Sequence, residues 1–353
     1  MSSELANFYL RTRAARKIIV VDLGFLGDTL HLIPALWEIE RHYPQAELHV
    51  VSSPLGAETL GLAPCVDRAW SFPLGPPSPP WWRHWDVVRA MRRERFDLAF
   101  NLNGADRSIF VTAALGTRWR VAHEGGRKHF WNSWLIPQWV ARRSTKLAVY
   151  EQRRQALAAC GLELDAPRWD LRIPEAAVRR AESLVPSGAI HFSVNASGSL
   201  KEWPLPHWIE LARGLLERNL GLKIVATGSA AERETARLRE LARAVNQPGL
   251  QTLSGLSVSE LAAVLARCSQ HIGADSGVLH LAMALGVPTF SIFREYPGLK
   301  EWLPRGPQHR YISADCPCAR QKHATCTDRG VAVCLAGITP ELVARALCAQ
   351  AAT

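Results

Sequence analysis

The sequence predicts an α/β protein of two Rossmann-like domains facing a central cleft. Three observations carry the prediction. The chain has 353 residues, more than one hydrophobic core usually organises, so two domains of roughly 150–200 residues each are expected. Apolar runs rich in β-branched residues alternate with stretches of helical period. A strand–turn–helix–strand order occurs in each half of the chain, and that order is a βαβ unit. With 48% apolar and 21% charged residues, the composition is that of an ordinary soluble globular chain and not a disordered, fibrous or membrane-spanning one.

Taken in order, residues 17–23 (KIIVVDL) form a continuous apolar run, the pattern of a parallel strand buried on both faces. A glycine turn follows, Gly24-Phe25-Leu26-Gly27-Asp28, then a helix over 29–42 and a strand over 47–52. Residues 72–85 hold five of the 22 prolines and three tryptophans, which reads as a loop or lid. Residues 96–102 (FDLAFNL) are another strand, and 156–174 hold the end of the first domain. The second half repeats the pattern. Strands are expected at 190–194, 222–227, 270–273 and 287–293, and helices at 206–219, 230–245, 257–267 and 276–285. A last helix over 339–349 has Thr339 as N-cap and Pro340 at its first position. The expected domains are 1–170 and 171–338, with 339–353 as a terminal helix.

The formal net charge is +10, which points to an anionic partner. Residues 76–154 hold fifteen Arg/Lys against six Asp/Glu, so this stretch carries nearly the whole excess. It is also tryptophan-rich, since eight of the thirteen Trp lie between Trp70 and Trp139. The first sixteen residues contain no signal-peptide core, and the longest apolar stretch, around 279–293, is broken by Gly286 and Pro288. A membrane helix needs about 20 apolar residues, so a cytoplasmic location is expected. In that compartment the eight cysteines are expected as thiols or metal ligands. Four of them, Cys316, Cys318, Cys326 and Cys334, cluster near the C-terminus.

Three loops after strands could carry chemistry, because ligands in such sheets bind outside the carboxyl ends of the strands. In the first, Asp28 is a candidate general base, or simply a helix cap. The third glycine of a dinucleotide fingerprint is missing there, and an acidic residue at a helix start repels phosphate. In the second, Ser197, Ser199 and Lys201 suit a phosphate, or form an ordinary surface loop. In the third, Ser276 and Gly277 present free N–H groups at a helix start, an anion site by geometry, with His280 one turn in. Asp275 and Ser276 also read as a cap, and His280 as a packing residue. Glu232, early in a helix after another strand, could bind ribose hydroxyls or only favour the helix dipole.

Together these loops resemble a known family. LGFLGDTLHLIPAL at 23–36, SLKEWP at 199–204 and GADSGVLHLAMALGVPT at 273–289 look like the heptosyltransferases of glycosyltransferase family 9. The D-S-G-x-x-H-x-A-x-A-L-G-x-P segment from Asp275 to Pro288 is the most specific element, and G-D-x-x-H from Gly27 to His31 is the second. The likeness spans about residues 17–345. It implies a GT-B fold, an ADP-heptose donor, no required cofactor, and an acceptor in the inner core of lipopolysaccharide. Residue by residue, it implies Asp28 as catalytic base and Lys201, with Ser197, at the donor diphosphate. It further implies Glu232 at the ribose, Asp275 near the donor sugar, and Ser276, Gly277 and His280 at the helix start over the diphosphate.

Two features depart from that pattern. Phe293-Arg294-Glu295-Tyr296-Pro297 stands where the family often has Gly and a Pro-Thr turn, which bears on the donor sugar. The cysteine spacing C-x-C-x7-C-x7-C is not a common zinc pattern. In the autotransporter branch of the family such cysteines bind iron and the acceptor is a protein, which is the alternative reading.

On the acceptor side, Arg89, Arg92, Arg93, Arg118 and Arg120, followed by Arg127, Lys128, Arg142, Arg143 and Lys146, would suit the phosphates and carboxylates of a glycolipid. Trp81, Trp82 and Trp85 would dip into the headgroup layer, placing the chain on the cytoplasmic face of the inner membrane. Two readings from other classes compete: a nucleic-acid-binding protein using the basic, Trp-rich region, and a sugar-nucleotide binder with a decayed site.

Overall fold

In the computed structural model, residues 3–73, 84–124, 130–141, 146–315, 327–328 and 331–348 are described. Trp81, Trp82, Arg127, Lys128, Arg142, Arg143, Cys316, Cys318 and Cys326 lie outside them. The chain divides into two units, Met1–Arg172 with Lys300–Trp302, and Ile173–Leu299 with Leu303–Thr353.

The first unit is organised by six parallel strands: β1 (Lys17–Val21), β2 (Glu47–Ser52), β3 (Arg68–Ser71), β4 (Leu98–Asn101), β5 (Trp119–His123) and β6 (Gln138–Val140). Their order is β3-β2-β1-β4-β5-β6. The second unit has β7 (Ala189–Ser193), β8 (Ile224–Gly228), β9 (Leu250–Ser254), β10 (Cys268–Ala274), β11 (Thr289–Arg294) and β12 (His309–Ala314), in the order β12-β11-β10-β7-β8-β9. Numbered within its own unit, each sheet has the same doubly wound order, 3-2-1-4-5-6. In both, the first and fourth strands are central neighbours. Val20 of β1 is flanked by Val50 and Phe100, and Ile272 of β10 by Phe192 and Phe290. All six side chains are buried, as strands covered on both faces require.

Helices cover the sheets. The helix Leu26–His42 begins three residues before the Thr29 start that the sequence suggests. The Asp28 carboxylate accepts the Phe25 N–H at 3.0 Å and so ties down the first turn. Strands β3, β5, β6, β9 and β12 do not stand out in the sequence. They lie away from the centre of each sheet and keep partly exposed positions, so they lack a clean apolar run.

Pro34 sits inside the helix Leu26–His42, where a proline removes the N–H that would bond the carbonyl four residues back. That carbonyl belongs to Leu30, and the Trp169 indole donates to it at 2.9 Å. The segment leading to the unit boundary is thus fastened to this helix. The Asp165 and Glu163 N–H groups donate to Glu38 Oε1 and His42 Nε2, each at 3.1 Å. Two more ties fall within the first unit at Lys300–Trp302. Gln152 Nε2 donates to Glu301 Oε2 at 2.9 Å, and Trp302 meets His31 edge-on at 5.3 Å.

A buried ion pair joins the helices Leu26–His42 and Val149–Ala159, with Arg154 Nη2 at 2.8 Å from Glu38 Oε1. Burial works to raise the Glu38 pKa, but hydrogen bonds from Arg154 and Arg41 outweigh it and hold the carboxyl below its usual value. A depressed carboxyl contributes stability above its unfolded pKa and loses it as pH falls through the folded value. Breaking one side of such a pair costs about 3 kcal/mol. Glu38→Gln is expected to lower unfolding stability by that amount at neutral pH in urea titrations. The gap from wild type should narrow on acidification.

Candidate active site

In a doubly wound sheet the connections leave the two central strands in opposite directions, which opens a crevice at their carboxyl ends. Both units place candidate carboxylates there, Asp28 in one and Asp275 in the other.

In the first unit the crevice lies beyond Val21 of β1 and Asn101 of β4. Gly24 makes it possible, because a Cβ there would fall 2.2 Å from the Asp28 Cβ and 3.0 Å from Asp22 Oδ1. Asp22 is fully buried and accepts from the Gly24 N–H at 3.2 Å and from Asn103 Nδ2 at 3.3 Å. Its other oxygen lies 2.6 Å from Arg153 Nη2. The same guanidinium stands 3.7 Å from Asp28 Oδ1, and Arg153 Nη1 also donates to the Asp28 carbonyl. Asp28 keeps a quarter of its side chain exposed, whereas Arg153 is buried. The result is a partly open carboxylate held from behind by a fixed cation. Burial pushes Asp22 up to about 6, against the pull of Arg153 and with a further push from the Asp28 charge.

Asp22, Asn103 and Arg153 were not singled out from the sequence. Asp22 carried a signal, a carboxylate at the end of a buried strand. Arg153 carried none, because it reaches Asp28 across 125 residues.

In the second unit the crevice lies beyond Ser193 of β7 and Ala274 of β10. Lys201 and Asp275 meet here, with Nζ 2.7 Å from Oδ2. Ser276 stands at the N-cap position of the helix Gly277–Ala284 without a side-chain capping bond, and its hydroxyl lies 3.5 Å from that of Ser193. Ser197 is exposed in the same loop as Lys201. That loop is anchored by the next residue. The buried Glu202 carboxylate accepts from the Ala196 N–H at 3.1 Å and from Arg233 Nη1 at 2.5 Å. Arg237 Nε donates to Asn195 Oδ1 at 3.2 Å, and the Trp203 indole to the Ile338 carbonyl at 2.8 Å. Lys201 therefore projects from a braced loop.

Glu232 opens the helix Glu232–Val245 with an exposed carboxylate 2.5 Å from Arg239. The turn before that helix is closed by Glu234, which accepts the Ser229 N–H at 2.7 Å. His280 is buried. Beneath the crevice, His191 and His271 share an Nδ1···Nδ1 hydrogen bond of 2.9 Å, and His191 Nε2 pairs with the Thr227 hydroxyl. Burial pushes His191 down to about 3 and His271 well below its usual value, so the pair is neutral.

The arginines assigned to the acceptor are not brought to the Asp28 crevice. Arg92 and Arg93 close the helix Trp85–Arg93, which runs into the amino end of β4, and Arg92 Nη1 lies 3.4 Å from the Ala114 carbonyl. Arg118 precedes β5 with its guanidinium 5.2 Å from the Trp119 ring. Arg120 spends its guanidinium on the Leu135 and Thr117 carbonyls, and Arg89 lies 3.9 Å from Asp86. The amino ends of parallel strands are the edge opposite Asp28, so Arg92, Arg93 and Arg118 lie away from that crevice. Trp85 packs against the apolar cluster around Phe72 and Val88. Cys334 is half-buried. Among the described residues no group of three or more His, Cys, Asp or Glu side chains is arranged to hold a metal. No helix among them is long and apolar enough to cross a membrane.

Residues 84–332 match the model of glycosyltransferase family 9 (heptosyltransferase). The chain belongs to that family. This glycosyltransferase is 28% identical over 328 residues to lipopolysaccharide heptosyltransferase 1 of Pseudomonas aeruginosa, covering 88% of this chain and 87% of that one. Two solved structures share its fold. ADP-heptose lps heptosyltransferase II of E. coli superposes with a TM-score of 0.73 at 23% identity, over 94% of this chain and 98% of that one. E. coli heptosyltransferase WaaC with ADP-2-deoxy-2-fluoro heptose gives 0.71 at 19% identity, over 95% and 99%. The family 9 chain thus has the GT-B fold, two Rossmann-like units, that its resemblance to the family implies.

Asp22 supplies a test of the first crevice in this glycosyltransferase. A carboxyl raised from 3.8 to about 6 holds its proton more tightly in the folded chain, so stability falls as pH rises between those values. Relative to Asp22→Asn, which cannot titrate, wild type should lose about 2–3 kcal/mol between pH 4 and 7. Urea midpoints of both proteins across that range read it, and a constant gap would contradict it.

Proposed function

We propose that this glycosyltransferase moves a heptose from ADP-heptose to the inner core of lipopolysaccharide, with inversion at the anomeric carbon. The observation that carries the reading is the Lys201–Asp275 pair at the carboxyl ends of β7 and β10, inside the family 9 match. A cation beside a helix start suits a diphosphate, and the names of the related proteins support heptose as the sugar.

In this mechanism Asp28 takes the proton of an acceptor hydroxyl. The freed oxygen forms a bond to the anomeric carbon, and the bond from that carbon to the diphosphate breaks. Its electron pair leaves on ADP. Lys201, with the N–H groups at Ser276 and Gly277, stabilises the charge that gathers on the leaving diphosphate. Arg153, 3.7 Å away and buried, fixes the direction of the Asp28 carboxylate, which a general base needs. Glu232 and the Ser197 hydroxyl are assigned to the ribose and the diphosphate, and His280 to the inner face of the helix over it.

We also assign the enzyme to the cytoplasmic face of the inner membrane as a peripheral protein. The support is the basic surface of Arg89, Arg92, Arg93 and Arg118. Binding to anionic vesicles should weaken as salt rises through about 0.15 M. Salt-independent binding, or none, would refute the assignment.

The reaction itself is tested by ADP release from ADP-heptose and a lipid A–Kdo acceptor. Asp28→Asn is expected to lower turnover by about 10³-fold with ADP affinity nearly intact, since base catalysis contributes about 10²–10⁴. Lys201→Ala should weaken donor binding by about tenfold or more. Wild-type turnover in the first variant, or unchanged donor affinity in the second, would sink the corresponding assignment.

A further inference from the structure

The Phe293–Pro297 segment, at the carboxyl end of β11, reaches into the second crevice. Glu295 continues the sheet, its N–H donating to the Ala314 carbonyl at 2.9 Å. The Tyr296 carbonyl accepts the Leu299 N–H at 3.0 Å, closing a turn around Gly298, whose φ of 96° favours glycine. The Tyr296 ring packs against the buried cluster of Leu279, Phe293, Leu299 and Leu303. Backbone and ring are therefore both fixed, and the hydroxyl reaches Asp275 Oδ2 at 3.2 Å. Lys201 Nζ sits on the same oxygen at 2.7 Å and 6.0 Å from the centre of the tyrosine ring.

We propose that Tyr296 is a positioning residue for the donor sugar: it holds Asp275 by Oδ2 and leaves Oδ1 for a sugar hydroxyl. The inference rests on the donor reading above. A diphosphate entering the crevice competes with Asp275 for Lys201. Once Lys201 turns to the diphosphate, Asp275 faces a new anion and has lost its cation. The Tyr296 hydroxyl is then the donor that keeps this carboxylate in place, against repulsion from the phosphates. A neutral phenol suits the task because it donates without adding charge beside the diphosphate.

Tyr296→Phe removes the hydroxyl and keeps the ring in its apolar seat. With ADP-heptose it should lose about tenfold in kcat/KM, a typical cost for a hydrogen bond to a charged group. ADP, which has no sugar, should bind within about twofold of wild type by calorimetry. If Tyr296 acts through Asp275, the double variant Tyr296→Phe/Asp275→Asn should be no slower than Asp275→Asn alone, within about twofold. A Tyr296→Phe enzyme with wild-type kcat/KM, an equal loss of ADP affinity, or losses that multiply in the double variant would overturn the proposal while leaving the donor reading standing. A wild-type protein that neither binds nor consumes ADP-heptose would overturn the donor reading, and this inference with it.

Discussion

Everything in this molecule depends on the direction in which chain connections leave two pairs of central strands. β1 and β4 in one unit, and β7 and β10 in the other, are neighbours whose outgoing crossovers part to opposite sides. Right-handed crossovers allow no other arrangement for this strand order. The space left at their carboxyl ends cannot be filled by the sheet's own helices. Loops and a helix start must line it, and they carry Asp28 and Asn103 in one unit and Lys201 and Asp275 in the other. Apolar burial fixes the strands, and the strands fix where polar groups can be tolerated without being covered.

The two crevices solve one electrostatic problem in different ways. Each holds a carboxylate next to a cation. In the first unit the cation is a buried arginine with its guanidinium divided between Asp22 and Asp28. A planar, permanently charged group with several donors fits that fixed role. In the second unit the cation is a half-exposed lysine on a braced loop, and an ammonium on a flexible stem can change partners. A permanent neighbour suits a carboxylate that must keep one orientation. A cation able to change partners suits a ligand that arrives and departs.

Much of this was legible in the sequence, and the parts that were not share a cause. Strand β1 could be read because burial on both faces leaves an unbroken apolar run, whereas β7 and β10 carry the buried His191 and His271 and are marked instead by the glycine and small polar residues that interrupt them abruptly. Asp28, Lys201 and Asp275 lie within a few residues of such interruptions. Arg153 does not. Its role comes from a helix that packs beside Asp28 only in three dimensions, and no local pattern encodes that. The arginines at 92, 93 and 118 show the opposite case. A charge count locates residues along the chain, but a parallel sheet has two ends, and composition does not tell them apart. The helix Leu26–His42 starts earlier than its sequence suggests for a local reason, since the capping group is the third residue inside the helix and not one before it.

The proline in the helix that carries Asp28 has a consequence for the order of assembly during synthesis. The carbonyl it frees is capped by an indole from residue 169, almost at the unit boundary, and the first unit also takes in Lys300–Trp302. Domains usually fold as units, the N-terminal one first, as the chain leaves the ribosome. Here the N-terminal unit can settle its sheet early, but its last pieces are translated after most of the second unit. The helix bearing the candidate base therefore reaches its final surroundings only late in synthesis, when the strands and loops of the other crevice have already emerged.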